Sequence, residues 1–72
     1  IKLFTMNRIK QVLEEKGIIQ KWLAEKLGKS YNMVNGYVQN RQQPGLEALY
    51  EIAKILEVEV KDLLVELNSG KK

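Results

Sequence analysis

Seventy-two residues, 44% apolar and 29% charged with a net charge of +3, make one small domain whose core must be economical. Zero Cys and zero His exclude disulfides, thiolate nucleophiles, imidazole bases and nearly every transition-metal site. Neither an enzyme nor a metal or other cofactor is therefore expected, since Glu14, Glu15, Glu47 and Glu51 would have to act without a His or Cys nearby. No apolar run approaches the about eighteen residues of a membrane span, and the N-terminus lacks the apolar stretch of a secretion signal, so the expected compartment is the cytoplasm.

In chain order, residues 1–5 (Ile-Lys-Leu-Phe-Thr) are neither periodic nor capped and are set apart as an N-terminal arm. From Met6 the apolar residues fall at 6, 9, 12 and 13, which is helical spacing, with Thr5 or Asn7 available as N-cap and Gly17 as the stop. Ile18 and Ile19 lead into a second helix with Trp22, Leu23 and Leu27 on one face, Ala24 as its small residue and Gly28 at its end. Ser30 is suited to cap a third helix, because its hydroxyl can accept from the free amides of the next turn. Val34, Tyr37 and Val38 form the inward side of that helix, and Tyr31, Asn32, Asn35 and Gln39 the outward side.

Asn40 fits a left-handed C-terminal position, and Arg41-Gln42-Gln43-Pro44-Gly45 reads as a polar turn in which Gly45 caps the next helix. Leu46, Leu49, Tyr50, Ile52, Ala53, Ile55 and Leu56 are crowded enough to bury most of a fourth helix. A short fifth helix carrying Val60, Leu63, Leu64 and Leu67 is expected to close the domain, with residues 68–72 as a tail. No strand is indicated. The expected fold is all-α, a single domain over residues 6–67.

Charge is unevenly spread. Residues 20–41 carry Lys21, Lys26, Lys29 and Arg41 against Glu25, whereas residues 44–68 carry six acids against Lys54 and Lys61. A basic middle beside an acidic C-terminal half suits a molecule with one face toward a polyanion. Within the basic stretch, Gln20 opens the second helix, Leu23-Ala24 lies inside it and Leu27-Gly28 ends it. Ser30, Val34 and Pro44-x-Leu46 follow, and then Ile52-Ala53-x-x-Leu56-x-Val58 and Asp62-Leu63-Leu64. This pattern, over about residues 7–67, resembles the Cro and phage-repressor (XRE-type) helix-turn-helix family. The resemblance implies a compact five-helix repressor-like domain with the helix-turn-helix in helices two and three. It also implies a small bacterial or phage-type regulator of transcription, binding double-stranded DNA with the third helix in the major groove.

On that resemblance, Tyr31, Asn32, Met33 and Asn35 are the expected base contacts. Asn32 comes first, since a carboxamide pairs with adenine N7 and N6 at once; for Met33, core packing is an equal alternative. Gln20, Lys21, Lys29, Asn40 and Arg41 are the expected phosphate contacts. Gly36 stands where the family often has a long polar side chain, which implies fewer base contacts or a closer approach to the groove. Leu13 and Val38 replace an Arg–Glu pair common in the family, so the two are expected to meet as an apolar brace. One recognition helix reads few base pairs, so a homodimer on an inverted repeat is implied, with Val58, Val60, Leu64, Val65 and Leu67 as the expected interface. Residues 30–40 contain no Lys or Arg, which keeps a second reading open: a protein-interaction module, antitoxin-like or coactivator-like, that uses the fold as scaffold.

Overall fold

A computed structural model of the chain describes residues 7–65. The arm at 1–5, the tail at 68–72, and Met6 and Leu67 lie outside the described residues. Four α-helices follow in order: α1 (Ile9–Lys16), α2 (Gln20–Leu27), α3 (Tyr31–Val38) and α4 (Leu46–Leu56). A single 3-10 turn, Val60–Leu63, comes after them. Among the described residues there is no strand, only an isolated antiparallel bridge between Asn7 and Leu64.

The helix stops are those the local chemistry demands. Gly17 (φ 69°) and Gly28 (φ 71°) are both left-handed, a conformation in which a Cβ would crowd the following carbonyl. Ser30 stands at the start of α3, its Oγ accepting from the Met33 N–H at 3.1 Å. Asn40 takes the left-handed position after α3 with φ 61°.

Two expectations about helix boundaries are corrected. The first helix begins at Ile9 behind Arg8, one residue later than a cap at Asn7 would place it, because the Arg8 N–H donates to the Leu63 carbonyl at 2.8 Å and Asn7 is drawn into the bridge. The expected fifth α-helix is only the 3-10 turn, for the same reason seen from the other side of the bridge. Glu59 and Asp62 cap that turn reciprocally, and the chain then leaves extended at Leu64 to lie against Asn7.

The core gathers Ile9, Leu23, Val34, Ile52 and Leu63, all fully buried, with Val12, Leu13, Val38, Leu49 and Leu56 around them. α2 packs against both α3 and α4, α1 against α3, and the 3-10 turn against α4. In α4 the buried positions are Leu49, Ile52, Ala53 and Leu56, the stripe one helix can turn toward one core. Leu46 and Tyr50 fall off that stripe and are 67% and 59% exposed, so the fourth helix is less enclosed than its composition suggests. Trp22, read as part of the inward face of α2, is instead a partly exposed ring with the Lys26 Nζ 5.4 Å from its centroid. Leu13 and Val38 are both buried in this core and line a common groove with Tyr31.

Candidate functional site

The corner between α2 and α3 is built from small residues and one cap. Ala24 is buried and its carbonyl accepts from the Lys29 N–H at 3.1 Å, which closes the turn that Gly28 makes possible. α3 then leaves the corner with Val34, Tyr37 and Val38 buried, while Tyr31, Asn32 and Met33 face outward. Met33 is thus a surface residue, and core packing is not its role. Lys21 is exposed and lines a groove with Tyr31, whereas Lys29, also exposed, lines one with Tyr37, Gly45 and Glu47.

Asn35, Gln20 and Arg41 are joined in a chain of hydrogen bonds. The Asn35 Nδ2 donates to Gln20 Oε1 at 2.9 Å, and the Arg41 Nη2 donates to Asn35 Oδ1 at 2.8 Å. Both ends of the half-buried Asn35 carboxamide are engaged within the protein. It ties the start of α2 to α3 and to the residue that opens the following turn.

Gly36 is buried, and the reason lies in that turn. The Gly36 carbonyl accepts from the Arg41 N–H at 2.9 Å and the Gln42 N–H at 3.2 Å, folding residues 39–43 back over the helix. A Cβ on Gly36 would meet the Gln42 side chain at 3.7 Å, ordinary van der Waals contact. The missing side chain therefore leaves no open notch, because Gln42 covers it. Since the space also admits a methyl group, Gly36→Ala should raise stability by about 0.5–1 kcal/mol through lower chain entropy in the unfolded state. Thermal unfolding checks this, and a loss of stability would show that the turn cannot accommodate the methyl.

One residue that organises this region was visible in the sequence only as a possible cap. Asn7 is 1% exposed, the one buried polar side chain among the described residues. Its Oδ1 accepts from the Ile9 N–H at 3.0 Å, so it does serve the first turn of α1. Its Nδ2 donates to the Tyr37 carbonyl at 3.0 Å, near the end of α3, and to Gln43 Oε1 at 2.9 Å. Asn40 Oδ1 accepts from the Asn7 N–H at 2.9 Å, and Asn40 Nδ2 donates to the Asn7 carbonyl at 3.2 Å. Asn40, expected on a phosphate, thus turns its carboxamide toward α1, with a further bond from Gln43 Nε2 at 3.1 Å. The start of α1 locks the turn behind α3 in place.

The apolar residues expected at a dimer interface are differently disposed. Val58 and Val60 pack partly against the core, Val65 is half-buried and Leu64 is 42% exposed. Among the described residues no cluster of acidic side chains is arranged to hold a metal ion, and no helix is long and apolar enough to cross a membrane.

Comparison with known proteins is consistent in fold and in sequence. The helix-turn-helix family model matches residues 9–63. A solved protein from Bacteroides fragilis, to which DNA binding is ascribed, is 40% identical with a TM-score of 0.82, the match covering 86% of this chain and 100% of that one. The N-terminal DNA-binding domain of SinR from Bacillus subtilis is 35% identical with a TM-score of 0.70, covering 86% of this chain and 91% of that one. SinR, a master regulator for biofilm formation, solved in complex with DNA, is 34% identical with a TM-score of 0.67 over 75% of this chain and 87% of that one. None of the curated proteins compared matches the chain.

Proposed function

Since the chain belongs to the helix-turn-helix family, we propose that it acts as a cytoplasmic regulator of transcription that binds double-stranded DNA sequence-specifically, α3 entering the major groove. The observation that carries this reading is the outward face of α3. Tyr31, Asn32 and Met33 are exposed and uncharged on a capped helix, and Lys21, Lys29 and Arg41 are exposed cations in the same stretch of chain. Such a face offers hydrogen bonds and apolar contact to base edges, while these cations and Gln20 at the start of α2 meet the phosphates. The DNA-binding domain of SinR, alike in fold over most of its length, supports it. The regulator works as a homodimer on half-sites about 34 Å apart, because one recognition helix reads too few base pairs for useful selectivity. Its interface is the C-terminal apolar group Val58, Val60, Leu64 and Val65, extended by Leu67.

Selection from random duplexes tests the reading, and the expected product is an inverted repeat. Sequence-blind binding, or none at low salt, would end it in favour of a protein-interaction module. Asn32→Ala should cost about 1–3 kcal/mol of discrimination at one adenine of each half-site. Lys21→Ala should weaken all duplexes alike and reduce the logarithmic salt slope by about 0.9 for each phosphate it leaves without its cation. If the two variants behave identically in a binding isotherm, this division of roles is wrong.

A further inference from the structure

We infer that Arg41 reads a guanine in the major groove, and that Asn35 positions it there. The inference rests on the proposed reading of α3 and reassigns two residues within it. α3 itself carries no cation, so it lacks the bidentate Arg or Lys donor that most often reads the O6 and N7 acceptors of guanine. Arg41 lies beyond the helix, yet its guanidinium returns to it. The Gly36 carbonyl holds the backbone amides of Arg41 and Gln42, and the Gln42 side chain lies over the glycine. The turn so folded delivers Arg41 Nη2 to Asn35 Oδ1 at 2.8 Å.

Asn35 is three residues after Asn32, hence its neighbour on the helix surface. Its other end is fixed by Gln20 Oε1 at 2.9 Å. The guanidinium is therefore held beside the proposed adenine reader by a carboxamide that is itself held. One of its five N–H donors is used, and enough remain for bidentate donation to one guanine. A residue that only neutralised phosphate would need no such anchor on the recognition helix. Asn35, with both ends of its carboxamide engaged inside the protein, acts through Arg41 as a positioning residue.

The test compares the sites selected by the parent protein, Arg41→Ala and Asn35→Ala, and measures parent binding to its selected duplex carrying 7-deazaguanine, which lacks N7. The parent should select a guanine near the adenine in each half-site. Arg41→Ala should lose that preference by about 10- to 100-fold while keeping the other positions. Asn35→Ala should weaken the same preference without changing the salt slope, an effect that a merely structural role would not confine to one base. The 7-deazaguanine duplex should bind the parent more weakly and leave Arg41→Ala unaffected. The inference is overturned if Arg41→Ala lowers affinity for every sequence by one factor and the salt slope falls by about 0.9, since Arg41 would then be on a phosphate. In that case a parent that still selects an inverted repeat leaves the regulator reading intact. A parent that selects no site ends both.

Discussion

Replacing Leu23 by Ala should cost the domain about 3–4 kcal/mol, the usual range for emptying a fully enclosed leucine site that cannot collapse. Leu23 is 0% exposed in the helix that packs against both α3 and α4, so the void opens where the helix-turn-helix meets its support. A chain of this length has roughly 4–10 kcal/mol of stability in all, and the variant should carry a measurable unfolded fraction at 37 °C. Chemical denaturation followed by helical circular dichroism gives the value. The control is Leu46→Gln, at a residue 67% exposed on α4, which should stay within about 0.5 kcal/mol of the parent. If the two variants were equally damaging, the burial pattern described for α2 and α4 would be wrong.

The second large effect is expected at Asn7. Asn7→Ala removes the acceptor of the buried Ile9 N–H and the donor to the Tyr37 carbonyl and Gln43, and it leaves a small void. The Tyr37 carbonyl keeps the Asn40 N–H at 3.1 Å, so the chief orphan is the Ile9 amide. Together these give a loss of about 2–3 kcal/mol. In a domain of this size that lowers the melting temperature by roughly 10–20 °C. Gln43→Ala, which removes bonds from the exposed rim of the same network, should cost only about 1 kcal/mol. Equal losses from both variants would mean that the network is not centred on the buried amide.

The contrast between these sites marks where the sequence is informative. Gly17, Gly28, Ser30 and Asn40 could be read in advance because each acts on backbone within a few residues of itself. A left-handed φ or a capped amide leaves its mark on the local residue type. The inward residues of α3 were legible through their spacing. What escaped depends on partners far apart in the chain. Asn7 bonds to residues 30 to 36 positions away, and no periodicity announces that. The fifth helix failed for a similar reason, since the pairing of Leu64 with Asn7 competes with continued helix and cannot be seen in either segment alone. Leu46 and Tyr50 read as inward because composition shows how apolar a helix is, without showing how wide a stripe its neighbours can cover. At the candidate site, Asn35, Gln20 and Arg41 each stood out as a polar residue near the recognition helix, and only three-dimensional placement joins them.

The lock between α1 and the turn behind α3 has a consequence for how binding would respond to ionic strength. The described bonds joining Asn7 to Ile9, Tyr37, Asn40 and Gln43 are made by carboxamides and peptide groups, with no ionised partner among them. Mobile ions have little to screen in these bonds, while the exposed Lys21 and Lys29 are fully subject to them. Raising salt should therefore leave the turn that carries Arg41 in register while the counterion term weakens. A salt titration on this protein would then count the ions released from DNA, undistorted by any loosening of the protein that holds it.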